Sequence, residues 1–207
     1  MKFRPSELEN QHVYKLLSGS VVPRPIAWVS TISDEGVLNL APFSFFTVAS
    51  RNPPMLCISV GPGVGEREGT TKDTLVNIQS NEEFVINISS TPLGNELQKT
   101  SEHLPRDVDE FAEADLHAVA SDQIKPMRVR EAPIQMECKL NQIIKLGTDH
   151  LIIGEMVMYH IRDDYYTEAY KVNLEKLRPL GRLANVFSES KDFFSLPSDA
   201  LKRDKRE

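Results

Sequence analysis

The alternation between Ile134 and Asn141 constrains this chain most. Ile134, Met136, Cys138 and Leu140 are apolar, and they alternate with Gln135, Glu137, Lys139 and Asn141. A period of two puts the two sets on opposite faces of a pleated strand, here with one face toward water. Gly147-Thr148-Asp149 then supplies a turn, and Leu151–Ile161 reads as the returning strand of a hairpin.

The same signals recur upstream. Ile26 to Ile32 is rich in β-branched and aromatic residues, and Asp34-Glu35-Gly36 lets the chain reverse into Val37–Leu40. Phe43–Ala49 and Met55–Val60 read as two more strands, separated by Asn52-Pro53-Pro54, which cannot continue a ladder. Thr70 or Thr71 is positioned to cap a helix running to about Ser80, with Leu75 and Ile78 on one face. Phe84–Ile88 is a strand, and Thr91–Ala114 is polar and reads as helix with loops. Ser6–Leu17 reads as a short helix or turn. About six or seven strands, with helices that do not alternate regularly among them, predict a mostly β antiparallel barrel with peripheral helices. No repeat or low-complexity linker divides the 207 residues, which predicts one domain over 1–207 with its core at about 20–187. A short N-terminal extension precedes the core, and the tail after Leu196, PSDALKRDKRE, is charged and expected to fray.

Composition removes several function classes. A net charge of −6 argues against a general nucleic-acid or membrane-surface binder, while leaving room for a local basic pocket. No apolar run approaches the ~20 residues that a membrane helix needs, and the first residues, MKFRPSELENQHVYKLL, lack the apolar stretch of a secretory signal. Cys57 and Cys138 sit in the apolar runs PMLCISV and IQMECKL, which fits buried reduced thiols in a cytoplasmic protein. The five histidines show no ligand spacing, so no metal site is expected. There is no GxSxG, HExxH, GxxxxGK[ST] or CxxC pattern. The glycine run Gly61–Gly65 lacks a strand–GxGxxG–helix context and reads as a flexible loop. No side chain is assigned a catalytic role, and a cofactor is expected to carry any chemistry.

Two segments stand out. Pro23–Ser50 reads PRPIAWVSTISDEGVLNLAPFSFFTVAS, and Lys72–Ile78 reads KDTLVNI. With the Pro-Pro step, a strand ending in SVG, EFVIN at Glu83–Asn87, and looser matches at Asp109-Glu110-Phe111, Glu131–Pro133 and Arg178–Leu183, they resemble the flavin reductase-like, FMN-binding split-barrel family. The resemblance runs over roughly residues 20 to 187, and its strength lies in the order and spacing of the motifs.

It implies an FMN site at a homodimer interface. Ser30, Thr31 and Ser44 supply hydroxyls, and Lys72, Asp73 and Thr74 open a helix whose unpaired N–H groups favour a phosphate. By the resemblance the backbone of Phe45–Thr47 runs along the flavin's pyrimidine side. Phe45 and Phe46 point to opposite faces, so one lines the pocket while the other packs inside. Trp28 is either a stacking residue or a core residue. Arg182 is either a phosphate or ring contact or a member of a surface ion pair, and His103 and Arg106 are candidates to approach the ligand. Without the ordered motifs, the hydroxyls read as ordinary strand residues and Lys72–Thr74 as a helix start. The loop Gly61–Thr71 departs from the family in length and charge, and it is expected to carry Glu66, Arg67 and Glu68 over the cofactor entrance.

The function implied is hydride transfer from NAD(P)H to the flavin, with reduced flavin passed to a monooxygenase partner or its electrons passed onward. The competing reading is an electron carrier that holds FMN without a nicotinamide site. A third is a split-barrel relative that binds haem or pyridoxal phosphate, although no lysine has the context of a Schiff base.

Overall fold

A computed structural model describes residues 1–63 and 67–196. Glu66 and the charged tail after Leu196 lie outside them. In chain order the elements are α1 (Asn10–Ser20), β1 (Arg24–Pro25), β2 (Ala27–Ile32), β3 (Leu38–Phe43), β4 (Phe46–Arg51), β5 (Pro54–Val60), α2 (Asp73–Asn81) and β6 (Glu83–Ile88). Then come α3 (Gly94–Lys99), α4 (Glu110–Glu113), the short strands β7 (Ala118–Val119) and β8 (Arg128–Val129), and the long strands β9 (Ile134–Leu146) and β10 (Asp149–Ile161). The chain closes with β11 (Tyr166–Thr167), β12 (Lys171–Val172), α5 (Leu174–Leu177), β13 (Leu180–Arg182) and β14 (Phe187–Glu189).

Seven strands form one antiparallel sheet in the order β3-β2-β6-β9-β10-β5-β4. The sheet curls into a split β-barrel. Ala27, Val29, Phe43, Ile58, Phe84, Cys138 and Ile152, from six of its strands, meet in one core. β3 and β5 approach across the seam without forming a ladder. Helix α2 plugs the barrel with Leu75 and Ile78, both almost wholly buried.

The β9–β10 hairpin forms as its pattern predicts. Its two-residue turn has Gly147 at φ 61°, the positive value that a primed turn requires at its first central residue. A Cβ at Gly154 would lie 2.3 Å from Phe84 Cζ, so only glycine lets that ring reach the core.

The expected wet face of β9 holds at Lys139 and Asn141 but needs correction at the start of the strand. Gln135 and Glu137 are buried, because the 118–132 segment folds across them. Glu137 accepts from the backbone N–H groups of Asp122 and Gln123, each at 2.8 Å, and its Oε1 lies 2.6 Å from His160 Nε2. These bonds hold its carboxyl below the usual range against the opposing effect of burial.

β2 is covered on both faces, which explains its unbroken run AWVSTI. Ala27 and Val29 face the barrel. Trp28 faces a second core with Leu40, Leu97, Phe111 and Val129. Of the two readings of Trp28, the structure supports the packed one: its ring is fully buried and Nε1 donates to Thr100 Oγ1 at 2.8 Å.

Two boundaries differ from expectation. The Phe43–Ala49 strand is broken at Ser44-Phe45, because Phe43 ends β3 on one edge of the sheet and Phe46 begins β4 on the other. Helix α2 begins at Asp73, so Lys72, not Thr70 or Thr71, occupies the N-cap, with no side-chain cap bond. Thr70 instead donates to the Arg67 carbonyl. Both cysteines are free, Cys57 half-buried and Cys138 buried. Burial, with a smaller contribution from Glu137, pushes the Cys138 thiol up to about 12.

Candidate functional site

A cleft of about 390 Å³ opens beside the barrel seam. Its walls come from β3 (Asn39–Pro42), the start of α2 (Lys72–Thr74), the Thr100–Leu104 segment, Glu110, Arg182 and Tyr14. A second cavity of about 210 Å³ shares Tyr14, Pro42, Ser101 and Arg182 with it and reaches Ser44 and Phe187. The pair make an elongated trough of the size small-molecule sites have.

One end of the trough suits an anion. Because Lys72 is the N-cap and offers no side-chain oxygen, the first-turn amides of α2 have no side-chain partner from that position. The Lys72 ammonium lies 5.4 Å from the Phe43 ring centroid. Burial, with repulsion from Arg67, pulls its pKa down, while Asp149 opposes the shift. A desolvated ammonium with no carboxylate in ion-pair range among the described residues favours an incoming anion.

Arg67 is engaged elsewhere: its guanidinium grips both oxygens of Asp73, the second contact at 2.9 Å. The loop residue expected over the entrance thus ties the loop to the start of α2, and Asp73 is matched by that fork.

Behind this end lies a buried polar network. Asn39 Oδ1 accepts from Thr31 Oγ1 at 3.0 Å and from Thr74 Oγ1 at 2.9 Å, and Thr31 accepts from Asn77 Nδ2 at 3.0 Å. Asn39 Nδ2 donates to Glu110 Oε1 at 2.9 Å, and the backbone N–H of Leu40 donates to Oε2 at 3.0 Å. Since β3 is an edge strand, Glu110 satisfies an amide that no neighbouring strand can reach. Asp109 makes this possible. Its side chain caps α4 by accepting from Phe111 and Ala112, which aims Glu110 at β3 and Phe111 into the outer core. Burial raises the Glu110 carboxyl to about 7, the nearby charge of Asp73 adds to this, and its hydrogen bonds oppose it.

The expected site residues therefore divide. Lys72, Asp73, Thr74 and Arg182 gather at the cleft. Arg182 stacks 4.4 Å over the Phe187 ring and makes no ion pair among the described residues. Thr74 points its proton inward, to Asn39. Ser30 and Thr31 are fully buried: Ser30 donates to the Met127 carbonyl at 2.6 Å and accepts from Asn87, so neither hydroxyl faces the trough. Ser44 reaches the second cavity and accepts from Arg24 Nε at 3.3 Å. Phe45, Phe46 and Thr47 line a separate apolar groove of about 560 Å³ with Leu17, Val21 and Leu151. Phe45 is exposed there, and Phe46 also packs on the barrel core. His103 lines the cleft, whereas Arg106 lies away from it with Ser33 and Glu35.

Sequence reasoning did not single out Asn39, Glu110 or Tyr14 as site residues. Asn39 and Glu110 stood inside quoted motifs, but nothing local distinguished their side chains from neighbouring polar residues.

Comparison with known proteins agrees with this architecture. A flavin reductase-like domain model matches residues 18–178. A protein from Aquifex aeolicus is 41% identical over 187 residues, covering 90% of this chain and 94% of its own. Nitrilotriacetate monooxygenase component B from Bacillus cereus superposes with a TM-score of 0.90 at 34% identity, covering 95% of this chain and 98% of its own. The 2-nitrobenzoate 2-nitroreductase of Pseudomonas fluorescens gives a TM-score of 0.86 at 30% identity, covering 96% of each chain. The chain belongs to the flavin reductase-like family.

Proposed function

We propose that the trough binds FMN and that the protein is an NAD(P)H:flavin oxidoreductase. The observation that carries this reading is the α2 N-terminus: uncapped amides beside a desolvated Lys72 that makes no ion pair among the described residues, at one end of a long cleft. These groups would hold the phosphate. Arg182, Ser44 and Tyr14 would line the rest of the ligand. A flavin held by these residues would supply the redox chemistry, hydride transfer from NAD(P)H to its N5. The chain supplies alignment and a partly dry wall.

The apolar groove beside the trough supports a homodimer. Leu17, Val21 and Phe45 are exposed along this groove, and a second copy of the chain would cover them. Resemblance to a monooxygenase component supports delivery of reduced flavin to a monooxygenase partner. Among the described residues no helix is long and apolar enough to cross a membrane, and the two free cysteines suit a cytoplasmic site of action.

The test is to titrate the purified protein with FMN and with FAD, then follow NADH and NADPH oxidation under excess flavin. Tight FMN binding with turnover supports the reading. Retained yellow colour without turnover would turn it toward the electron carrier, and no flavin binding would end it.

A further inference from the structure

Of the three carboxylates lining this cleft, Asp73, Glu102 and Glu110, two are held in opposite ways. Asp73 is matched by the Arg67 fork. Glu110, only 8% exposed, has neutral donors on both oxygens and no cation in ion-pair range among the described residues. The charged or titratable groups lining the same cleft are Lys72 and Asp73 at the start of α2, Arg67 from the loop, Glu102 and His103 from the Thr100–Leu104 segment, Arg182 from β13 and Tyr14 from α1. Asp109 and Glu113 flank Glu110 on its own helix.

An anion placed against the first turn of α2 adds negative charge to a cavity where Glu110 has no cation in ion-pair range among the described residues, Arg67 acting on it only at longer range. Repulsion across such a partly desolvated space is much stronger than in water. The two are also joined by hydrogen bonds, since Glu110 accepts from Asn39 and Asn39 accepts from Thr74 of that same turn. The ionised form of Glu110 can only accept hydrogen bonds, whereas the acid form offers the cleft a donor.

We infer that Glu110 is a positioning residue that takes up a proton when an anionic ligand occupies the start of α2, so that ligand and proton bind together. The inference rests on the anion-binding reading above. Its burial already places the Glu110 carboxyl at about 7, so the free protein is partly ionised near neutrality and the coupling is open to measurement.

The sign distinguishes this from the phosphate's own ionisation. A phosphate monoester with a second ionisation near ~6 releases protons when cations bind it, and above about pH 7 it is already mostly dianionic. Proton uptake therefore has to come from the protein. For a coupling of about one pKa unit, linkage gives uptake of about half a proton at about pH 7.5 and affinity about fourfold weaker at about pH 8.5 than at about pH 7.

The experiment is isothermal titration calorimetry of the full chain with FMN in buffers of different ionisation enthalpy. Riboflavin, which lacks the phosphate, is the second probe, and Glu110→Gln the variant. Uptake with FMN, none with riboflavin, and its loss in Glu110→Gln would bear the inference out. FMN binding without uptake, equal uptake with riboflavin, or uptake surviving in Glu110→Gln would overturn it and leave the flavin reading standing. If Glu110→Gln fails to fold, the difference between FMN and riboflavin in the wild-type protein decides. If neither FMN nor FAD binds the wild-type protein, the flavin reading fails, and this inference with it.

Discussion

The Trp28 indole donates to Thr100 Oγ1 at 2.8 Å, and Thr100 in turn donates to the Leu97 carbonyl at 3.0 Å. This pair fastens the outer core of β2 to the residue that begins one wall of the cleft. Trp28→Phe keeps an aromatic ring but removes the bond and part of the volume. It should cost about 2–3 kcal/mol of unfolding free energy, seen as a lower urea midpoint. The Thr100–Leu104 segment loses an anchor, so FMN affinity should also fall.

Lys72 and Thr74 share the start of α2 but serve different partners, the cleft and Asn39. Lys72→Ala removes the desolvated ammonium and should weaken FMN at least tenfold while leaving riboflavin affinity and thermal stability nearly unchanged. Thr74→Val removes a buried donor to Asn39 and should cost about 1–2 kcal/mol of stability. Parallel titration and thermal melts separate the two. Equal losses of FMN and riboflavin in Lys72→Ala would place the phosphate elsewhere.

What the sequence revealed and concealed follows from the range of each force. The β9–β10 hairpin was legible because alternation and turn chemistry are local, and Gly147 sits where its φ of 61° is needed. The partner of a strand is not local. Nothing between Phe43 and Ala49 shows that β3 pairs with β2 while β4 pairs with β5 at the far edge of the sheet. Burial by a distant segment is equally hidden. Gln135 and Glu137 have the composition of a wet face, and only the 118–132 segment makes them interior. Ser30 and Thr31 illustrate the same limit at the candidate site. Their motif identifies the family, yet their hydroxyls serve Met127 and Asn39 rather than the trough.

Gly154 faces Phe84 across the β6–β9–β10 layer, with Phe84 only 1% exposed. Gly154→Ala puts a methyl carbon where Phe84 Cζ already lies, 2.3 Å away. The ring is enclosed and cannot swing to solvent. Overpacking of this kind costs about 1–3 kcal/mol or more. The expected result is a clear drop in melting temperature; a variant as stable as wild type would show that the ring relocates freely.

Phe45 lies 6.4 Å from the Tyr14 ring and 5.7 Å from the Arg24 guanidinium carbon, on the exposed apolar groove. Because it is already 37% exposed, Phe45→Ala should change monomer stability by less than a core truncation would. If a second copy covers the groove, the same change should shift the protein from dimer toward monomer in light scattering after gel filtration. A monomeric wild-type protein would refute the dimer.

The pH dependence of stability should carry the mark of Glu110. Its folded value of about 7 lies above the ordinary carboxylate value of 4.5, so the folded state holds a proton that the unfolded chain has lost. Stability must then fall as pH rises from about 4.5 to about 7, by an amount on the order of 3 kcal/mol from this group before other titrations are added. Glu110→Gln has no such proton to lose. The difference in unfolding free energy between variant and wild type should therefore move in the variant's favour between about pH 5 and pH 8, even if the variant is less stable throughout. Urea denaturation of both proteins at several pH values measures that difference. Parallel curves would mean that Glu110 ionises alike in the folded and unfolded states, and its buried place against Leu40 and Asn39 would then need another source of charge compensation.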